Sequence, residues 1–227
     1  MIAVSGNTDP YQPVERKLQL TRRCLEVFLK YRNPVGIITK NALILRDLDI
    51  LQEMAKKRLV SVAISITSLD PSVIGRMEPR TSTPELRLDA VRALAQANVP
   101  VGVNAAPLIP GLTDEELPEI LKRSSEAGAI FAHYILVRLP YSVKELFVEW
   151  LQREFPLRAG KVLSRIRDMR DGALNDPRFE SRMTGEGEFA DLLSNLFDAT
   201  CKKYDLNERK ISLTTANFVR MGQLPLY

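Results

Sequence analysis

Cysteine is nearly absent from this 227-residue chain, which carries only Cys24 and Cys201. The two lie too far apart to form a CxxC motif, which argues against a zinc ribbon and against a disulfide framework. Each is expected to pack as a small buried hydrophobe, Cys24 beside Leu25, Phe28 and Leu29 and Cys201 beside Leu193, Phe197 and Tyr204. Histidine is scarcer still. His133 is the only one, and with no GxSxG segment a hydrolase triad has no support. Set among Phe131, Tyr134 and Ile135, it reads as a core or pocket-wall residue rather than a metal ligand or catalytic base. No G-x-x-x-x-G-K-[ST] and no strand leading into GxGxxG is present, so P-loop and Rossmann nucleotide sites are not indicated. No apolar run is long enough to cross a bilayer, and Met1 to Ser5 lacks the regions of a signal peptide. A cytoplasmic protein with no membrane partner is predicted.

What is present is an ordinary globular composition, with 45% hydrophobic and 26% charged residues, enough to bury a sizeable core. A net charge of +4 permits an anionic partner without demanding one. Short apolar runs alternate with segments of helical period as far as Phe155, the pattern of repeated βα units and a parallel sheet. The expected strands are Ile2 to Ser5, Val35 to Lys40, Val60 to Thr67, Val99 to Ala105 and Phe131 to Val137. Thr83 before Pro84 predicts a helix N-terminus. Thr113 with Glu116 three residues later predicts a capping box.

Within the strands, alternation separates a face turned to covering helices from a face turned inward. Val60, Val62, Ile64 and Ile66 fall on the first, and Ser61, Ala63, Ser65 and Thr67 on the second. By the same rule Gly36, Ile38 and Lys40 oppose Val35, Ile37 and Thr39, while Gly102, Asn104 and Ala106 oppose Val101, Val103 and Ala105. Lys40, Ser65, Thr67 and Asn104 are therefore expected near one mouth, the end at which parallel α/β barrels bind ligands. After Pro156 the rhythm changes to a basic helix with Arg158, Lys161, Arg165, Arg167 and Arg170, a turn-rich stretch, an amphipathic helix and a short run from Lys210 to Thr215. Residues 1–155 are read as a partial barrel and 156–227 as a C-terminal extension packed on it.

Three segments carry a family resemblance: Ser5-Gly6-Asn7-Thr8-Asp9-Pro10-Tyr11-Gln12-Pro13, Ile37-Ile38-Thr39-Lys40, and Ser65-Ile66-Thr67 with Glu78-Pro79-Arg80-Thr81-Ser82-Thr83-Pro84. With Val101 to Pro110 they resemble the radical S-adenosylmethionine (SAM) proteins related to spore photoproduct lyase. The resemblance implies an α/β fold, a partial TIM-type barrel holding the second to sixth strands and lacking its first βα unit, with a helical C-terminal extension. It also implies SAM and a [4Fe-4S] cluster as cofactors, reductive SAM cleavage to a 5′-deoxyadenosyl radical, and lyase-like radical chemistry on an unassigned substrate.

Carried over by position, Thr8, Lys40 and Ser65 match residues that contact SAM, with the lysine placed to pair with its carboxylate; Asn104 and Ala106 are lesser pocket candidates. No metal ligand and no catalytic residue is assigned within the chain. The cluster-binding C-x3-C-x2-C has no counterpart, so the chain is expected to be an inactive fragment whose cluster belongs to an upstream or separate segment. Where the lyases proper have a hydrogen-donating cysteine, the matching position is Gly6, which separates the chain from lesion repair itself. Nucleic acid is the candidate macromolecular partner, through the basic helix. Two alternatives stay open: a cluster-less module that binds SAM or nucleic acid, and a barrel lyase or isomerase with Lys40 as a Schiff-base lysine.

Overall fold

The computed structural model describes residues 1–5 and 8–219. Gly6, the position compared with a cysteine above, lies outside the described residues. Five parallel strands form one sheet in chain order: β1 (Ile2–Val4), β2 (Val35–Thr39), β3 (Val60–Ser65), β4 (Val101–Leu108) and β5 (Phe131–Leu136). Neighbours in sequence are neighbours in the sheet, so each crossover returns the chain beside the strand it has just left. The crossovers carry α1 (Glu15–Leu18), α2 (Leu20–Lys30), α3 (Leu48–Lys56), α4 (Pro71–Met77), α5 (Pro84–Gln96) and α6 (Leu117–Glu126). After the sheet come α7 (Val143–Glu154), α8 (Pro156–Asp168) and α9 (Glu188–Lys203). No described helix is long and apolar enough to cross a membrane.

The two faces differ as alternation predicts. Val35, Ile37, Val60, Val62, Ile64, Val101, Val103 and Ala105 are buried with the helices in one core. On the inner face Ile38 is 41% exposed. β4 runs further than expected, because its pairing with β5 resumes at Leu108 and Leu136 after an irregularity beyond Ala105.

Thr83 caps α5, its hydroxyl accepting from the Leu86 amide at 3.4 Å, with Pro84 at the first helical position. The expected capping box at Thr113 does not form. The Thr113 hydroxyl accepts from the Ile109 amide at 2.9 Å, and Glu116 crosses to the loop after β3, where it accepts from the Ser68 hydroxyl and the Leu69 amide at 2.6 Å each. A carboxylate with two donors waiting across the chain has no reason to fold back on its own helix.

Cys24 departs from its expected burial and is exposed on α2, whereas Cys201 is buried. Within α2 it is Thr21 and Leu25 that are buried. Burial and the nearby Asp198 raise the Cys201 thiol to about 11. The C-terminal segments pack on the sheet in two ways. Ala190, Leu193, Phe197 and Cys201 of α9 join the main core. α7 and α8 build a second cluster from Leu151, Ala159, Val162 and Ile166 on Ile109, Leu112, Val137 and Leu139.

Beyond α9 the chain is extended and crosses the end of the sheet where the strands begin. Asn207 bonds both the amide and the carbonyl of Ala132. Thr214 donates its amide to the Arg58 carbonyl at 3.1 Å, and Val219 donates to the Tyr31 carbonyl at 3.0 Å. This strap and the inner face, with Ser61, Phe131 and His133, enclose a cleft of about 580 Å³.

Gly102 lies beneath Phe131 so closely that a Cβ there would meet the ring at 2.4 Å and the Phe131 carbonyl oxygen at 2.4 Å. Because one of those atoms is backbone, no side-chain rotation relieves the contact. Gly102→Ala is expected to lower unfolding stability by about 1–3 kcal/mol or more, measured by urea denaturation; an unchanged midpoint would remove the steric reading.

Candidate functional site at the carboxyl ends of the strands

The loops after β1, β2 and β3 are tied to one another by side chains that sequence periodicity does not reveal. Asp9 neither caps a helix nor faces solvent. Its carboxylate accepts from the Tyr11 amide at 2.8 Å, the Thr39 hydroxyl at 2.7 Å and the Lys40 amide at 2.7 Å, fastening the first loop to the end of β2. Asn41 donates its side-chain amide to the Tyr11 carbonyl at 2.8 Å, and the Ser82 hydroxyl accepts from the Ala42 amide at 2.9 Å. Tyr11 itself is fully buried in the core, in keeping with a packing role.

Held by these bonds is a pocket of about 260 Å³ lined by Ser5, Thr8, Asp9, Ile38, Thr39, Lys40 and Ser65. Three of the five candidate residues thus meet on one wall. Thr8 is exposed, its hydroxyl accepting from the Gln12 side chain. Ser65 is buried. Lys40 is partly exposed and its ammonium is ion-paired with Glu78. Asn104 and Ala106 do not line this pocket. Asn104 is the sheet partner of Ser65 and, on its other side, of His133. It is 6% exposed, and its side-chain oxygen has no hydrogen-bond partner among the described residues. The Ala106 carbonyl accepts from Thr67 at 2.9 Å.

Glu78, at the end of α4, joins Lys40 to the buried side of the mouth. It does not pair with Arg80, which stays exposed. Its carboxylate, 7% exposed, accepts from Lys40, from the Thr67 hydroxyl at 2.8 Å and from Arg87 at 2.6 Å. Arg87 is fully buried and went unnoticed in the sequence, where it reads as one more charge on an amphipathic helix. Its remaining donors reach the Ser82 carbonyl at 2.9 Å, the Ser65 carbonyl at 3.0 Å and the Thr81 hydroxyl at 2.5 Å. Burial alone would raise the Glu78 carboxyl; the charges of Lys40 and Arg87 outweigh it and hold the group below the usual glutamate range. Lys40 engaged this way is a poor Schiff-base nucleophile, which needs a free amine.

The sequence model of the Radical SAM superfamily matches residues 1–123, more than half of the chain. The chain belongs to the radical SAM superfamily. An uncharacterized protein of Mycobacterium tuberculosis is 34% identical over 170 residues, 74% of this chain and 49% of the relative. One from Methanocaldococcus jannaschii is 30% identical over 115 residues, 51% of this chain and 43% of that protein. This radical SAM chain therefore spans about half the length of the curated relatives it matches. Among solved structures, spore photoproduct lyase complexed with dinucleoside spore photoproduct superposes with a TM-score of 0.60 at 16% identity, over 89% of this chain and 57% of that one. An alanine variant of the same lyase, with the dinucleoside bound, gives 0.61 at 17% identity over 89% and 58%. At such identities the likeness shows the fold, a partial TIM-type α/β barrel.

The superfamily implies SAM and a [4Fe-4S] cluster, and the residues treat the two differently. For the amino-acid end of SAM the lining suits: an ammonium from Lys40 and hydroxyls from Thr8 and Ser65, with the unpartnered oxygen of Asn104 next to Ser65 in the sheet but outside the lining. For the cluster it does not. Cys24 and Cys201 sit on different helices, one exposed and one buried, and no group of three His, Cys, Asp or Glu side chains is placed to hold a metal among the described residues.

The basic helix also reads differently in three dimensions. Arg165 pairs with Asp114 at 2.9 Å and lies over the Phe189 ring, Lys161 pairs with Glu115, and Arg170 is buried against the Val137 and Leu174 carbonyls. Arg158 and Arg167 stay exposed, without a carboxylate partner among the described residues.

Because the folded-state Glu78 carboxyl lies below its unfolded value, its contribution to stability is present above about pH 4.3 and is lost as pH falls through the folded value. Denaturant midpoints taken from neutral to acid pH are expected to fall more for the unaltered protein than for Glu78→Gln. Parallel acid profiles for the two would show that Glu78 does not titrate with folding.

Proposed function

We propose that the strand-end pocket holds the amino-acid end of SAM, with Thr8, Lys40 and Ser65 in contact and Asn104 and Ala106 behind them. The observation that carries this is convergence. Residues from the loop after β1, the end of β2 and the end of β3 line one pocket at the mouth, and they offer the charges and donors a zwitterion requires. The ammonium of Lys40 binds the carboxylate and the hydroxyls orient the methionine portion.

In a complete radical SAM site, one-electron cleavage of SAM supplies the radical that removes hydrogen from a substrate. We assign this chain the SAM-holding wall of such a site and its cluster thiolates to another segment, upstream or separate. In support, the chain has two distant cysteines and spans about half of its relatives. Alone it is expected to bind without turning over. Residues 156–227 serve as a supporting extension, since α8 and α9 bury apolar faces against the barrel. The substrate class we favour is nucleic acid, acted on in a lyase-like way; the structural neighbours with a bound dinucleoside support it, whereas α8 adds little.

Calorimetric titration of SAM into this chain tests the assignment. Binding to the unaltered protein should weaken about tenfold or more in Lys40→Met, the cost of one charge-assisted hydrogen bond, and less in Ser65→Ala. Absence of binding, or equal affinity across the three proteins, would defeat it.

A further inference from the structure

The ion pair at the mouth poses a problem for any ligand with a carboxylate. Lys40 already faces one carboxylate, that of Glu78, which is nearly buried and fixed. If Glu78 and Lys40 simply cancelled, the pocket would offer an incoming anion nothing. The buried guanidinium changes the balance. Glu78 is shared between two cations, so the trio of Lys40, Glu78 and Arg87 carries two positive charges and one negative, leaving one positive charge over.

The arrangement is asymmetric as well. Glu78 keeps Arg87 and Thr67 whether or not Lys40 stays, and Arg87 is pinned by three further acceptors. Lys40 has Glu78 as its only ion-pair partner among the described residues, and its side chain is 28% exposed. The carboxylate is the immobile member and the ammonium the movable one. The same guanidinium also bonds the Ser65 carbonyl, so a single buried side chain supports two residues of the pocket wall.

We propose that Arg87 is a positioning residue of this pocket, which takes up the charge of Glu78 so that the Lys40 ammonium stays available to a ligand carboxylate, and which holds Ser65 beside it. The inference rests on the SAM reading above and deepens it: Arg87 touches no ligand, yet it sets the charge that the ligand meets. Without it Glu78 turns wholly to Lys40, the local charge falls to zero, and selectivity for carboxylate-bearing ligands is lost.

The test compares two probes that share adenine, ribose and sulfur: SAM, with its amino-acid end, and 5′-methylthioadenosine, without it. Arg87→Met is expected to weaken SAM about tenfold while leaving methylthioadenosine within about twofold, since the lost interaction is charge-assisted. Arg87→Lys, which keeps the charge, recovers most of the SAM affinity. If both probes weaken together, or neither does, the proposal is overturned, because a merely structural arginine would not discriminate between them. Should Arg87→Met fail to fold, Arg87→Lys and Thr81→Val, which removes one support of the guanidinium, carry the same comparison.

A ligand-free readout separates this proposal from the SAM assignment. In protein labelled at the lysine side-chain nitrogen, the Lys40 ammonium resonance is expected to shift in Arg87→Met with no ligand present. Failure of the unaltered protein to bind SAM, with that shift observed, would remove SAM and leave the charge-sharing role of Arg87 in place. An unmoved Lys40 resonance removes the role whatever binds.

Discussion

A guanidinium removed from water must have its donors satisfied, and the mouth of this barrel is arranged around one that is. Arg87 reaches a carboxylate, two backbone carbonyls and a hydroxyl, drawn from the end of β3 and from the turns between α4 and α5. Removing one partner from a buried ion pair typically costs about 3–5 kcal/mol. That penalty keeps the loop from Glu78 to Ser82 in one conformation. Ser82 in turn holds the start of the loop after β2, and Asp9 holds its other side. The pocket is thus preorganised by bonds among three loops, none of which relies on the ligand. Preorganisation of this kind lowers the entropy lost on binding.

How much of this could be read from the chain depends on the range of the interaction. Alternation in β2, β3 and β4 follows from backbone geometry alone, and it separated Val60, Val62 and Ile64, which pack in the main core with the helices, from Ser61, Ala63 and Ser65 on the other face. The same rule, with parallel strands, brought Lys40 and Ser65 to one end. What stayed hidden were contacts whose partners are distant in sequence. Glu116 has the spacing of a capping residue, yet it bonds a loop 47 residues away. Cys24 sits next to apolar neighbours, but α2 turns Thr21 and Leu25 inward and leaves the cysteine out. Arg87 occupies a helix among other charges, and only the placement of Glu78 marks it as different.

The basic helix teaches the same lesson about charge. A run of arginines read along the chain suggests a surface for phosphates, but Arg165 and Arg170 are consumed by Asp114 and by backbone carbonyls. Net charge predicts partners only after internal pairing is subtracted. At the mouth the subtraction leaves one cation facing the pocket, and on α8 it leaves Arg158 and Arg167, exposed and without a carboxylate partner among the described residues.

The strap across the opposite end of the sheet bears on the order in which the molecule assembles. The bond from Arg58 to the Ser212 carbonyl joins positions 154 residues apart, whereas each strand pairs with the next one in the chain. Contacts of long sequence separation form late, because the loop they close must be ordered first. The sheet and its mouth are built from successive units and need nothing from the strap to begin. On that ground the strap is expected to be laid down on a floor already in place, with pocket geometry set before the far end is closed.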